Sequence, residues 1–285
     1  MMSEENIILL NDGHSPQDLL HKLNYLDISF EDHDNENDTL PFDFLHKVPN
    51  LECFVVRRCF GLKELFPSQK LNGHDGILTE LKTLSLHNLF ELESIGLEHP
   101  WVKPYIEKLK VLGIVKCHRL DRLVSCATSF INLKQLVVKG CRKMKCLFTF
   151  STAKSLLNLE VLIIENCESI QEIIEKEDED VNGEIVFGRL INLSMCSLPR
   201  LVSFYSGNAT LHFSSLQYVI LFKCPNMTTF SEVSINAPML HGIKPSMNDS
   251  DLIFFYDLNT TIQSLFYEKV RNSLSLVLYL NITKI

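Results

Sequence analysis

Apolar residues recur with one fixed spacing along most of the chain. Counted from Leu109 as offset 0, residues 109–123 carry leucine or isoleucine at offsets 0, 3, 5, 11 and 14 and a cysteine at offset 8. The same spacing starts at residues 51, 81, 109, 133, 159, 190 and 216. Because these starts lie 24 to 31 residues apart, the pattern indicates a solenoid in which each copy forms one turn.

Each copy predicts one short strand. Offsets 3 and 5 differ by two, so their side chains point to one face of a strand, and offsets 2, 4 and 6 point to the other. One turn cannot bury its leucines alone, whereas stacked turns share a continuous core. The prediction is therefore an α/β solenoid of the leucine-rich-repeat type. It is a horseshoe with a parallel sheet on the concave face and a mostly irregular or short-helical convex side.

A cysteine occupies offset 8 in five of the seven copies, three of them consecutive, as Cys117, Cys141 and Cys167. Here the chain turns out of the strand, and leucine-rich repeats place Asn or Cys in this slot. A small, weakly donating thiol packs well there. The alternative is a metal site, but zinc needs ligands that converge as a tetrahedron, whereas stacked turns place them in a line. The spacing favours a structural role.

The segments outside the repeat divide the chain into three predicted parts. Residues 1–45 contain the acidic run EDHDNEND and predict a degenerate or partly disordered segment. Residues 46–235 predict the solenoid, and residues 236–285 predict a C-terminal cap. Within the cap, apolar residues at helical spacing behind Asp257 predict a short helix near 257–270. The tail alternates from Leu274 onward and is strand-like.

Offsets 2, 4 and 6 define the candidate binding surface. Several members are apolar although they face away from the core, and an exposed apolar strip often marks a binding site. The alternative is that strand propensity alone selects Val and Ile. The predicted concave surface consists of Val55, Arg57, Ser85, His87, Val111, Gly113, Val115, Gln135, Val137, Lys139, Val161, Ile163, Glu165, Ser194, Tyr218, Ile220 and Phe222.

Charge is unevenly distributed along the chain. The net charge of -8 argues against a nucleic-acid partner, because neutralising phosphates needs a basic surface. Residues 116–145 nevertheless hold eight basic residues and one acid, whereas residues 165–184 hold nine acids and one lysine. Either the acidic stretch is a solvated loop that offsets its neighbour, or a basic ridge binds an acidic partner. This basic ridge consists of Lys116, Arg119, Arg122, Arg142 and Lys143.

Motifs for catalysis, cofactor binding or membrane insertion are missing from the sequence. It contains no GxSxG, HExxH, GxGxxG or GxxxxGK[ST]. Cys126 and Cys146 are lone thiols with no assignable base. No apolar run is long enough to span a bilayer, and no signal peptide is visible. We therefore expect no cofactor, no metal and no catalysis, and we expect reduced thiols in the cytoplasm.

Three segments add a resemblance to the repeat LxxLxLxxCxxLxxL. With SLPRLVSFYSGN, LFKCPNMTTFS and DLNTTIQSLF, the chain resembles, over about residues 48–270, the leucine-rich-repeat region of plant coiled-coil nucleotide-binding disease-resistance proteins. The resemblance implies a protein partner: a pathogen protein, a modified host protein or a nucleotide-binding domain that the repeats restrain. Because the phosphate loop is missing, nucleotide binding is not implied, and the chain resembles a truncated receptor. The alternative function is a ubiquitin-ligase adaptor, which would need an F-box-like segment that residues 1–45 do not show.

Overall fold

The computed structural model describes residues 20–30, 40, 45, 47–68, 78–124, 128–177, 183–244, 252–253 and 257–267. In chain order the strands are β1 (Tyr25–Ser29), β2 (Cys53–Arg57), β3 (Thr83–His87), β4 (Val111–Val115), β5 (Gln135–Lys139), β6 (Phe148–Thr149), β7 (Val161–Glu165), β8 (Glu172–Glu175), β9 (Glu184–Val186), β10 (Asn192–Cys196), β11 (Ser203–Tyr205), β12 (Thr210–His212), β13 (Tyr218–Phe222), β14 (Ile235–Asn236) and β15 (Gly242–Lys244). The helices are α1 (Lys103–Ile106), α2 (Phe150–Ala153) and α3, which spans 258–267.

One parallel sheet runs along the whole solenoid. Its nine strands follow the order β1-β2-β3-β4-β5-β7-β10-β13-β15. Every clear copy contributes one strand at offsets 2 to 6, and equal offsets pair across neighbouring strands, as Gly113 does with Ser85 and Val137. Side chains at offsets 3 and 5 are buried along the sheet. The predicted fold class, a leucine-rich-repeat solenoid with a parallel sheet and little helix, is confirmed.

The convex side is more regular toward the C-terminus than the repeat spacing indicates. Two smaller parallel sheets lie there, with strand orders β11-β8-β6 and β14-β12-β9. The two short helices α1 and α2 each occupy four residues of this side. The hydroxyl of Thr149 caps α2 by accepting a hydrogen bond from the Thr152 amide at 3.3 Å. None of the described helices has the length and apolar character that crossing a membrane requires.

Four phenylalanine rings fill the core between the last turns. Phe204 stacks on Phe230 with ring centroids 4.6 Å apart, and its edge contacts Phe187 and Phe213 at 6.0 and 5.9 Å. Phe187 and Phe213 stack on one another at 5.2 Å. All four side chains are fully buried. Aromatic pairs of this geometry contribute beyond the area they bury, so the cluster ties three successive turns together.

A column of left-handed residues follows the strands of the main sheet. The residue at offset 7 has φ between 52° and 68° in all seven clear copies: Arg58, Asn88, Lys116, Gly140, Asn166, Ser197 and Lys223. In the first six, its amide donates to the last carbonyl of the next strand, at 2.7 to 3.0 Å, as Lys116 does to Lys139. In these six copies, the left-handed residue therefore hydrogen-bonds its own repeat to the next repeat along the solenoid.

The C-terminal end of the solenoid is closed by α3. The Asp257 carboxylate accepts from the Thr260 amide at 2.8 Å, and Leu258 and Ile262 are buried against the last turn. The side-chain oxygen of Asn259 accepts from the amides of Phe230 and Ser231 at 2.8 and 3.1 Å. Its nitrogen donates to the Ser231 carbonyl at 2.8 Å. This helix satisfies backbone groups that a further turn would otherwise satisfy.

The remaining predictions about the ends of the chain stay open. The acidic run EDHDNEND and the strand-like tail from Leu274 lie outside the described residues. The main sheet includes β1 and β15, which lie before residue 46 and after residue 235. The division into 1–45, 46–235 and 236–285 stays a prediction.

Candidate interaction surface

The side chains at offsets 2, 4 and 6 form the concave face of the main sheet. All the predicted concave residues lie in its strands, and most are half-buried, as a sheet face open to solvent requires. Val55 and Ser194 differ, since each is only 4% exposed. Ser194 lies in register between Ile163 and Ile220. Whether the surface binds a partner stays a prediction.

The centre of the concave face is apolar. Val111, Val115, Val137, Val161 and Ile163 lie on the three adjacent strands β4, β5 and β7. We name these five residues the central patch. Each of them is half-buried, so part of its apolar surface is open to solvent on the concave face. Exposed apolar area that is contiguous marks binding surfaces on soluble proteins.

Gly113 lies beside the central patch and packs closely against its neighbour. A methyl group added at this position would lie 3.1 Å from the Ser85 hydroxyl oxygen, which is closer than an ordinary contact. Its neighbours in register are Ser85 and Val137. The missing side chain therefore leaves room for the Ser85 hydroxyl on the concave face.

Charged pairs border the central patch. The Lys139 ammonium lies 2.9 Å from the Glu165 carboxylate across strands β5 and β7. At the N-terminal end, Arg57 Nε donates to both carboxylate oxygens of Asp27 at 3.0 Å. The neighbouring His87 has a pKa below its ordinary value because it is partly buried and lies near the Arg57 charge. His87 is therefore mostly neutral at pH 7, and the border carries paired rather than single charges.

Two members of the concave face were missed by the sequence pattern. Asp27 lies on β1, before the first of the seven copies, and only the pairing of β1 with β2 places it against Arg57. Lys244 lies on β15, which lacks the repeat spacing, and its ammonium lies 3.9 Å from the centre of the Tyr218 ring. A cation above an aromatic ring is attracted to it. The signal for both was the strand register, which becomes visible only in the fold.

Acidic residues of neighbouring turns pair with the arginines of the basic ridge. Arg119 pairs with Glu91 at 2.5 Å, and Arg142 pairs with Glu168 at 3.4 Å. Arg122 lies 3.9 Å from Glu175. The charge count within residues 116–145 does not include these acids, because they belong to neighbouring turns. Among the described residues, Lys116 and Lys143 form no ion pair. A role of the ridge in binding stays a prediction.

The offset-8 cysteines form a buried column of thiols. Cys117, Cys141, Cys167 and Cys224 are at most 2% exposed, and their thiols donate to backbone carbonyls. The Cys224 thiol, for example, lies 3.4 Å from the Met195 carbonyl of the preceding turn. In the described part of the chain, no three His, Cys, Asp or Glu side chains come together as a metal site. Cys117, Cys141 and Cys224 thus link their turns to the preceding ones.

Of the two lone thiols considered as nucleophiles, only Cys146 lies among the described residues. Cys146 is buried and lies 3.5 Å from the Glu175 carboxylate. Burial, with the Glu175 charge added, raises the pKa of Cys146 to about 12, which disfavours the reactive thiolate. Cys126 lies outside the described residues. A leucine-rich-repeat solenoid is typically a non-catalytic interaction module.

Alkaline pH will destabilise the fold through the buried thiol of Cys117. Burial raises the pKa of Cys117 from 9.0 to about 12. Between about pH 9 and 12 the unfolded thiol ionises while the folded thiol keeps its proton. Stability therefore falls as pH rises, by up to about 1.4 kcal/mol per pH unit per thiol. Urea unfolding at pH 7, 9 and 10.5 measures the slope, and Cys117→Ala should have a shallower one. Equal slopes would contradict the assignment.

Comparison with known families gives a match over most of the chain. The model described as plant disease resistance protein RPS2-like, leucine-rich repeats, matches residues 2–130 and 124–241. The two matched segments together include all the strands from β1 to β14. No curated protein matches the chain significantly.

Proposed function

Because this chain belongs to the RPS2-like leucine-rich repeats of plant disease resistance proteins, we propose that it binds a protein partner in defence signalling through its concave face. The partner is a pathogen protein, a modified host protein or the nucleotide-binding domain of a resistance protein. We place this activity in the cytoplasm. The binding surface is the concave face of the main sheet, and the biological process is protein interaction in defence.

The central patch is the observation that supports the concave face as the binding surface. Protein interfaces have an apolar centre surrounded by a polar rim, and a few central residues contribute most of the binding energy. Val137 and Ile163 lie next to each other in register at the middle of the sheet. The Lys139–Glu165 pair lies at the ends of the same two strands. This arrangement fits a partner that covers the valines and leaves the charged pair at the rim.

Aspartate in the central patch will weaken binding. We expect Val137→Asp and Ile163→Asp, made singly, to raise Kd at least tenfold, about 1.4 kcal/mol, because each places an unpaired charge in a covered apolar contact. The probe is the purified nucleotide-binding domain of an RPS2-like resistance protein from the same plant. Biolayer interferometry measures Kd, and thermal unfolding checks that each variant is folded.

The matched control is Val202→Asp, because Val202 is an apolar residue that is 46% exposed and lies outside the main sheet. It should bind the probe like the unaltered chain. Central-patch variants that bind as tightly as the unaltered chain would reject the concave face as the binding surface. An unaltered chain that does not bind the probe would reject the nucleotide-binding domain as the partner.

A further inference from the structure

Just beyond the paired charges that border the central patch, two lysines have no counter-charge. Residues 115–119 and 139–143, where the chain leaves β4 and β5, hold five lysines and arginines and no acid. The same offsets of the two flanking turns hold three acids and no lysine or arginine. Each acid pairs with one cation of the central turns: Glu91 with Arg119, Glu165 with Lys139, and Glu168 with Arg142. The two cations left over are Lys116 and Lys143.

Lys116 is held at the edge of the central patch by its backbone and by a glycine. It directly follows Val115, and its amide donates to the Lys139 carbonyl at 2.7 Å. A Cβ atom built on Gly140 would lie 3.2 Å from Lys116 Cγ, so the lysine stem lies where glycine has no side chain. Its neighbours at offset 7, Asn88 and Gly140, are uncharged. Lys116 is exposed, and the described residues place no carboxylate within ion-pair distance of its ammonium.

Lys143 lies on the next turn at the same end of the sheet, and it is exposed as well. Its amide donates to the His118 carbonyl at 3.2 Å, so it lies beside a residue that is two positions beyond Lys116. With about 3.3 Å per residue and 4.8 Å between strands, the two lysine Cα atoms are roughly 8 Å apart. Like charges at this distance repel each other, and an anion between them is attracted by both. We name Lys116 and Lys143 the lysine pair.

The surroundings of the lysine pair favour a protein segment over a nucleic acid. Nucleic acids carry negative charges at short, regular intervals, and binding them needs a matching series of cations. The lysine pair provides two, and the strands beside it present the apolar central patch instead. A protein segment can provide an apolar side chain for that patch and a carboxylate for the lysines. From Ile163 to Lys116 the surface spans roughly 14 Å, which about four extended residues cover.

We propose that the protein segment bound on the central patch carries an aspartate or glutamate within about four residues of its apolar contact, and that this carboxylate binds between Lys116 and Lys143. The inference rests on the proposed function, since it requires the central patch to be the binding surface. It adds the chemistry of the partner, which is an acidic and apolar segment. The charge attraction speeds association and fixes the orientation of the segment.

Selection of short random peptides, displayed on phage, against the purified full chain tests the proposal without a known partner. The enriched peptides should hold more Asp and Glu close to apolar residues than the unselected library does. They should no longer bind Val137→Asp, which locates them at the central patch. Selection against Lys116→Glu combined with Lys143→Glu should instead enrich peptides with Lys or Arg close to the apolar residues.

The tightest selected peptide, made synthetically, gives the quantitative comparison. We expect the double charge reversal to raise its Kd at least tenfold, measured by fluorescence anisotropy. A peptide with Lys in place of its acid should bind the double variant again. The matched control is Lys110→Glu, since Lys110 is exposed, forms no ion pair among the described residues and flanks β4 at its other end. It should leave Kd unchanged, and circular dichroism checks that each variant is folded.

Five results would overturn the proposal. Enriched peptides without an excess of acid that are still lost on Val137→Asp would keep the central patch as the binding surface but reject the lysine pair. Peptides that still bind Val137→Asp would reject the concave face as well. An equal loss on Lys110→Glu would assign the effect to overall charge. Tighter binding of a short uridine oligonucleotide, or of the peptide with phosphoserine in place of its acid, would assign the lysine pair to phosphate. A library without any enriched peptide would reject a linear segment as the ligand.

Discussion

Replacing Phe204 by alanine will lower the free energy of unfolding by about 3–5 kcal/mol. The ring is fully buried and contacts Phe187, Phe213 and Phe230, so its removal leaves a cavity bounded by three other aromatic rings. Rigid neighbours of this size cannot collapse to fill the space, which places the cost toward the upper end of the range. Urea denaturation followed by circular dichroism measures the loss.

Val202→Ala is the control for this substitution, since Val202 is two residues away and nearly half exposed. We expect it to change the stability by less than about 0.5 kcal/mol. A loss below about 1 kcal/mol for Phe204→Ala would mean that the aromatic cluster does not hold the last turns together. In that case the cooperative unit would lie elsewhere in the sheet.

Asn259→Ala will be nearly as damaging, at about 3 kcal/mol. The side chain accepts from the Phe230 and Ser231 amides and from the Thr229 hydroxyl, and it donates to the Ser231 carbonyl. Each net hydrogen bond contributes about 1 kcal/mol, and leaving a buried donor without an acceptor costs more. Alanine removes all of these contacts at once. Thermal unfolding measures the change, and amide exchange at 230 and 231 locates it.

Two further variants separate the hydrogen bonds from the loss of a polar side chain. Asn259→Asp keeps the acceptor for the two amides but loses the donor to the Ser231 carbonyl, so its loss should be intermediate. Asn208→Ala changes an exposed asparagine and should be close to neutral. If Asn259→Ala behaved like Asn208→Ala, the closing helix would not depend on this residue.

The sequence pattern predicted the strands of the clear copies well, because each depends on residues within one copy. Offsets 3 and 5 fix the buried face and offsets 2, 4 and 6 fix the open face, so the columns of the concave surface followed directly. The small convex sheets were not predicted, since strands such as β12 and β14 are only two or three residues long. They depend on hydrogen bonds from neighbouring turns rather than on their own alternation.

The sequence pattern could not predict contacts between turns, because the residues that meet belong to different copies. Arg119 and Glu91, or Arg142 and Glu168, are one turn apart in space but about a full repeat apart along the chain. A charge count within residues 116–145 therefore found a basic ridge where the fold intersperses acids. The Asp27–Arg57 pair was missed in the same way. In a solenoid, the neighbours that decide the surface electrostatics lie in the adjacent copies.

The left-handed column has a consequence for how such a protein can change over generations. The hydrogen bonds of this column use backbone amides, so the side chains at offset 7 contribute little to the stability of the fold. Arginine, asparagine, lysine, glycine and serine all occupy it in this one chain at closely similar φ. Substitution there costs at most the modest strain of a left-handed residue, about 1–2 kcal/mol relative to glycine. Selection can therefore change the residues at offset 7, which lie one per repeat beside the concave face, while the fold is kept. Such changes would alter the surface that a partner meets.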